Sequence, residues 1–184
     1  VPDTPALAPV PLTHGVVLRL LRNDDGPALA TAYARNRAHL APWDPERTEE
    51  FFTSEHHTRL VPMELLELGA GRKVPLVLDR DGEIVGRLNL TDIVRGAFDN
   101  AHLGYWLDAR LAGRGVMTAA VEAACGHAND LGLHRVQAAT LLHNAASQAV
   151  LARTGFTRIG TAPQYLRIAG RWQDHALFQR ILHG

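Results

Sequence analysis

Apolar and polar positions change period several times along the chain, and each change predicts an element. Val16 to Leu21 reads as a strand, after which Asn23 or Asp24 can cap a helix carrying Ala28, Leu29, Ala32 and Tyr33 towards Arg37. Ala41-Pro42-Trp43-Asp44-Pro45 is a rigid connection. A further helix from about Thr48 or Glu49 carries Phe52, Leu60, Leu65, Leu66 and Leu68; Pro62 predicts a kink or break, and Gly69 to Gly71 end it. Val74 to Leu78 and Ile84 to Ile93 flank Asp81-Gly82, a dipeptide that favours a tight hairpin turn. Arg95 to Asp99 then connects to Ala101 to Leu107, apolar and aromatic enough for a largely buried strand. From Val116 to Leu131 the apolar residues Val116, Ala119, Ala120, Ala123, Ala124, Ala128 and Leu131 recur at helical steps. His134 to Thr140 is the next strand, followed by a second short helix and a closing hairpin around Tyr165 to Trp172. The sum is an α/β (α+β) fold, a mixed, mostly antiparallel sheet with helices on both faces.

Composition narrows the function classes. The chain has 184 residues and 46% hydrophobic content, enough for one domain with a sizeable core. Residues 1–14, with four prolines between Val1 and Thr13, read as an extended lead-in, and 15–184 as the single domain. Lys+Arg and Asp+Glu are 19 each, which excludes a strongly basic nucleic-acid binder. No apolar run approaches the roughly 18 residues of a membrane span, and the amino end lacks a signal-peptide pattern. The expectation is a cytoplasmic protein that engages neither nucleic acid nor membrane. The single cysteine, Cys125, lies among small residues on the long helix and reads as a buried core thiol.

Chemistry concentrates between Leu103 and Phe156, in the order strand, glycine loop, helix, strand, helix. In Gly113-Arg114-Gly115-Val116-Met117-Thr118 the glycines have no side chains to hold a ligand off. Backbone amides at the helix start can therefore point at a phosphate, reinforced by the helix dipole. A P-loop needs Gly-Lys-Ser/Thr at its end, and Gly115 is followed by Val116-Met117-Thr118, so that reading fails. A dinucleotide fingerprint needs an acidic residue at the end of the next strand, and His134 to Thr140 offers none.

Four ordered blocks carry a resemblance. Leu103-Gly104-Tyr105-Trp106-Leu107-Asp108, the loop Gly113 to Thr118, Leu131-Gly132-Leu133-His134-Arg135, and Asn144 to Leu151 with Thr154-Gly155-Phe156 together resemble the GNAT N-acetyltransferases, in particular their RimJ/RimL branch. The tail Tyr165 to His175 and the segment His39-Leu40-Ala41-Pro42-Trp43 resemble that branch too, so the likeness runs from Val16 to Leu182. Two loop positions depart from the usual pattern: Ala112 replaces Gln or Arg, and Met117 replaces Gly or Ala.

The resemblance implies acetyl-CoA, or another acyl-CoA such as succinyl-CoA, as co-substrate; no metal is expected, because His56-His57 is adjacent and no His-Glu-x-x-His pattern appears. Its pyrophosphate would lie on the amides of Gly113, Arg114, Gly115, Val116, Met117 and Thr118, and its pantetheine arm beside Trp106 and Leu107. Asn144 would bind the pantetheine amides and Ser147 would donate a proton or hydrogen bond to the departing thiolate. An amine acceptor would attack the thioester directly, from a site that Trp43, Asn89, Tyr105 and Trp172 are expected to line. The branch points to the α-amine of a ribosomal protein, with small amines (antibiotics, polyamines) or a non-catalytic acyl-CoA-binding or interaction role as alternatives, and to a homodimer. His102, His143, Asp92 and Asp174 are general-base candidates by residue type alone.

Overall fold

A computed structural model describes residues 7–183. Its strands are β1 (Val10–Pro11), β2 (Val17–Leu20), β3 (Val74–Arg80), β4 (Glu83–Val94), β5 (Asn100–Leu107), β6 (Arg135–Leu141), β7 (Thr157–Ile168) and β8 (Arg171–Ile181). Its helices are α1 (Gly26–Arg35), α2 (Arg37–Leu40), α3 (Ser54–Gly69), α4 (Val116–Asp130) and α5 (Ala145–Arg153). The strands form one sheet in the order β1-β2-β3-β4-β5-β6-β8-β7. Every pairing is antiparallel except that of β5 with β6. This is the mixed, mostly antiparallel sheet that the hydrophobic pattern predicts.

Two cores sit on opposite faces of the sheet, as strand alternation requires. Leu76 and Leu78 of β3, with Ala101 and Leu103 of β5, pack against Val116, Ala120, Val121 and Ala124 of α4 and Leu151 of α5. Val77 of β3 turns to the other face, where Leu29, Ala32 and Tyr33 of α1 meet Val61 of α3. Alanines along α4 let the helix lie close on the sheet. Gly26 does the same between helices, since a Cβ there would stand 2.6 Å from Thr58 Oγ1 of α3. Cys125 is buried in the α4 core, where desolvation pushes its thiol up to about 11, consistent with an inert packing role.

Several boundaries differ from expectation for identifiable reasons. The segment read as a lead-in already contributes β1, which pairs Val10 with Leu18, while Leu7, Val10 and Leu12 pack on the main core; its residues 1–6 lie outside the described residues. Proline suits this place, at a sheet edge where its missing N–H costs no ladder bond. The helix carrying Pro62 neither breaks nor ends there: α3 runs through it, forgoing only the bond to the Thr58 carbonyl. The interruption falls earlier, at Thr53, whose hydroxyl caps α3 by accepting from the His56 amide, after a short 3-10 turn at Glu49–Phe52. Neither Asn23 nor Asp24 caps α1; Asp25 stands at that position and gives its carboxylate to the Arg19 guanidinium, at 2.8 Å on both oxygens. The Asp81-Gly82 turn forms as expected, both residues at positive φ, 54° and 84°. Among the described residues no helix is long and apolar enough to cross a membrane.

Candidate active site

The parallel pair opens the site. β5 and β6 pair only from Asn100↔Arg135 to Leu103↔Ala138. β5 continues along β4 to Leu107, and β6 continues along β8 to Leu141, so the two strands part beyond Leu103 and Ala138. Their inner edges, Gly104 to Leu107 and Ala139 to Leu141, have no strand partner in the wedge, and main-chain donors and acceptors there must be met by something else. The wedge lies at the carboxyl ends of parallel strands, the usual place for a ligand in such sheets.

Two depressions meet at it. A groove of about 430 Å³ runs from the glycine loop (Gly113, Gly115, Thr118) past Leu107 and Val150 to Asn144 and Ser147. A smaller cavity of about 180 Å³ occupies the wedge itself, between Gly104 and Tyr105 on one strand and Ala138 to Leu141 on the other. Gly113 and Gly115 hold φ of 73° and 77°, and a Cβ at either would meet only open space on the groove side. The loop is left-handed because it must turn sharply from the strand into α4, which begins at Val116 with free amides at its first turn. Glu122, beneath the loop, is neutralised by Arg180 at 2.7 and 2.8 Å. Arg153 lines both the groove and its outer mouth beside Gly113, Thr118 and Glu122, and forms no ion pair among the described residues. The surroundings suit an elongated, phosphate-bearing ligand.

At the inner end stand two hydroxyls. Asn144 caps α5, its side-chain oxygen accepting from the Ser147 amide at 3.1 Å. Its amide nitrogen makes no hydrogen bond among the described residues, and Asn144 lines the groove. Ser147 Oγ lies 2.8 Å from the Tyr105 hydroxyl, which also reaches the Ser147 carbonyl at 3.3 Å. Burial pushes Tyr105 up to about 12, against the smaller opposing effect of its bond to Ser147, so the phenol stays protonated at neutral pH. The pair is a neutral, hydrogen-bonded couple of hydroxyls lining the wedge.

Comparison with known proteins assigns this architecture. Residues 16–157 match the family model described as "Acetyltransferase (GNAT) domain". The chain belongs to the GNAT acetyltransferase family. A similar curated relative is the [Ribosomal protein uS5]-alanine N-acetyltransferase of Escherichia coli, 36% identical over 168 residues, covering 90% of this chain and 87% of the relative. Among solved structures, the ribosomal-protein-S5-alanine acetyltransferase of Vibrio fischeri superposes with a TM-score of 0.90 at 32% identity, over 95% of this chain and 96% of that one. Mycobacterium smegmatis RimJ, solved in complex with CoA-disulfide, does so with a TM-score of 0.88 at 31% identity, over 95% and 86%. The protein is thus a GNAT enzyme of RimJ/RimL type, an N-acetyltransferase.

In this acetyltransferase the structure gathers most of the residues named from sequence. Leu107, Gly113, Gly115, Val116, Met117, Thr118, Asn144 and Ser147 line the groove, together with Trp43, Tyr105 and Trp106. Trp106 turns its indole to the opposite face, against Tyr33 at 4.9 Å between ring centroids, so it brings main chain to the groove's edge. Arg114, within the loop, is exposed and does not line the groove. Trp43 closes the gap between groove and wedge, its ring 5.4 Å from that of His143. Asn89 stands elsewhere, in a polar cavity under α1 and α3 with His57, Glu64 and Arg87. Trp172 is 61% exposed at the start of β8 and lines neither groove nor wedge. Of the general-base candidates, Asp174 accepts from the Gln164 amide at 2.9 Å and Asp92 is exposed beside Thr91; none of the four lines the wedge. The sequence reading missed Arg153 and His175. Arg153 follows Asn144 on α5 by nine positions and could have been placed near the loop only through the α4–α5 packing.

Proposed function

We propose that the groove holds acetyl-CoA and that the acceptor is the α-amine of a protein amino terminus of the ribosomal kind. The observation that carries the reading is the unpaired wedge between β5 and β6, entered from a loop of free amides and ending at a proton-donating hydroxyl pair. The pyrophosphate would sit on the amides of 113–118, the pantetheine amides along Gly104 to Leu107 and Asn144, and the sulfur at Ser147. No lysine or arginine lines the wedge cavity. A succinyl carboxylate would lack a counter-charge there, which favours acetyl.

For the acceptor, an open depression of about 680 Å³ lies on the α1 face, between Arg37, Glu46, Phe51 and Phe52 and the turn at Ala169. It has room for the first residues of an extended chain. An α-amine has a pKa of about 7.7 to 8.0 against about 10.4 for lysine, so it loses its proton more readily at neutral pH. Ribosomal-protein relatives support the same choice, and a ribosomal acceptor would place the enzyme in the cytoplasm. In the reaction, proximity supplies most of the rate, and Ser147 would donate to the sulfur as the C–S bond breaks.

Thermal unfolding with acetyl-CoA, succinyl-CoA, coenzyme A, NAD and ATP tests the cofactor. Acetyl-CoA at 100 times its Kd is expected to stabilise by about 2.7 kcal/mol, a shift of several degrees, with NAD and ATP inactive. Absence of any coenzyme A shift would remove the reading. Mass spectrometry of an alanine-initiated peptide and of spermidine, each incubated with acetyl-CoA, then tests the acceptor; acetylation of spermidine alone would transfer the assignment to small amines.

Arg153 supplies a second measurement. Arg153→Ala is expected to weaken acetyl-CoA binding by about tenfold, the equivalent of ~1.4 kcal/mol for one partly exposed charge-assisted phosphate contact. Calorimetric titration checks it, and dephospho-coenzyme A separates the phosphates: equal binding to wild type and variant places the guanidinium on the 3′-phosphate. An unchanged Kd for acetyl-CoA would show that Arg153 only faces solvent.

A further inference from the structure

A donor at Ser147 can protonate sulfur, but the acceptor amine must also shed protons of its own. His175, on β8, is 3% exposed and lines the wedge cavity. Its Nδ1 lies 2.9 Å from the Gln173 carbonyl oxygen, which can only accept, so Nδ1 carries a hydrogen and, in the neutral ring, the lone pair is on Nε2. No described side chain donates to that nitrogen. Ala176 and Phe178 turn into the core beneath α4, so alternation directs His175 to the opposite face, the acceptor's side. There Tyr165 of β7 backs the ring at 5.6 Å, and Trp43, Leu166 and Ile168 complete that end of the cavity. Ser147 and Tyr105 stand at the other end. No carboxylate, lysine or arginine lines the space between.

We propose that His175 is the general base of the acetyl transfer, a catalytic residue that takes the acceptor's protons across the cavity from the Ser147–Tyr105 donor. The proposal rests on the reading that amine and thioester meet in this wedge. An incoming ammonium gives one proton to Nε2, which releases it to solvent. The freed lone pair forms the N–C bond to the thioester carbonyl while the carbonyl π pair moves to oxygen. The nitrogen of that intermediate gives its second proton to the emptied Nε2. The oxygen pair then re-forms the carbonyl, and the C–S bond breaks with its electrons on sulfur. Sulfur takes the Ser147 hydroxyl proton; Tyr105 restores it, and the proton held on His175 returns through solvent to Tyr105. The net change is one amide, one thiol and one proton released.

The test compares wild type with His175→Asn, using acetyl-CoA and an alanine-initiated hexapeptide. At pH 7 the variant should lose about 100-fold in kcat, within the range that positioned acid–base groups supply, with the Kd of acetyl-CoA unchanged. At pH 9 most of an α-amine of pKa about 8 is already free, so the loss should shrink to about tenfold or less. The titratable side chains facing His175 are Tyr165 and Tyr105, both phenols, so no carboxylate or cation on the cavity wall mimics this change. A loss that is the same at both pH values would mean that His175 only packs, and would overturn the proposal. If wild type leaves the peptide untouched, the acceptor reading fails by itself, and the comparison is run on whichever of a serine-initiated peptide or spermidine wild type acetylates. Independently of any acceptor, nitrogen NMR of the histidine rings should show His175 protonated at Nδ1; an Nε2–H tautomer would overturn the proposal even if the variant fails to fold.

Discussion

Replacing Ser147 by alanine is expected to lower kcat by about 100- to 10,000-fold while leaving the Kd of acetyl-CoA within about twofold of wild type. In the proposed reaction sulfur departs as a thiolate, and a hydroxyl donating to it would matter only as the C–S bond breaks, so the loss should belong to turnover and not to binding. The fold should tolerate the change. Asn144 caps α5 through the Ser147 amide, which alanine retains, and the Tyr105 hydroxyl keeps its bond to the residue 147 carbonyl. Tyr105→Phe should cause a smaller loss, since the phenol acts through Ser147, and the double variant should lose scarcely more than Ser147→Ala alone. Stopped-flow thiol release and calorimetric titration measure the two quantities. A parallel rise in Kd and fall in kcat would show Ser147 to be a binding group, and the wedge would then need another donor.

How far this site could be read from the sequence depends on whether local or distant contacts decide each part. α4 was legible almost to its last residue because its apolar stripe, glycine start and length are properties of one segment: Val116 to Leu131 is expected and Val116–Asp130 is found. The Asp81-Gly82 hairpin was legible for the same reason. By contrast, nothing in Leu103-Gly104-Tyr105 says that pairing with β6 stops there. That follows from β5 staying on β4 while β6 stays on β8, a competition among three partners far apart in sequence. The wedge is therefore a tertiary property. Asp174 attracted attention by residue type, yet its carboxylate serves the Gln164 amide, and the neighbouring His175 faces the cavity. A strand's alternation could have separated the two, since Ala176 and Phe178 mark the inward side, but only once the face that carries the site was known. The lead-in's share in the sheet was hidden by its prolines, which mark both loops and sheet edges.

Asp108 links fold and site most directly, and Asp108→Ala is expected to destabilise the protein by about 3 kcal/mol, roughly 6 to 12 °C in Tm for a chain of this size. Its carboxylate is 1% exposed and accepts from Arg35 at 2.7 Å, Asn36 at 3.0 Å and Arg110 at 2.9 Å. Asn36 in turn accepts from the Ala109 amide at 3.1 Å. One buried anion thus ties the α1–α2 junction to the end of β5, immediately before the glycine loop. Removing it takes one of the two acceptors from the amide nitrogen of Asn36, 2% exposed, which keeps the Ala32 carbonyl at 3.0 Å, and the arginines can reach water, so the cost sits at the lower end for a broken buried pair. These donors outweigh desolvation and hold the Asp108 carboxyl well below the usual carboxylate range. The sign follows: a depressed folded-state pKa contributes stability that is fully present above the unfolded value of about 3.9 and is lost as pH falls towards the folded one. Wild type and Asp108→Ala should therefore differ by a constant amount from about pH 5 upward and converge in acid. Urea unfolding at pH 7 and pH 3 measures both. Equal stability at pH 7 would show that the network is not what fixes the strand end. If the difference is found, acetyl-CoA affinity should fall with it, because the amides of 113–118 can bind a pyrophosphate only while the end of β5 holds them in place.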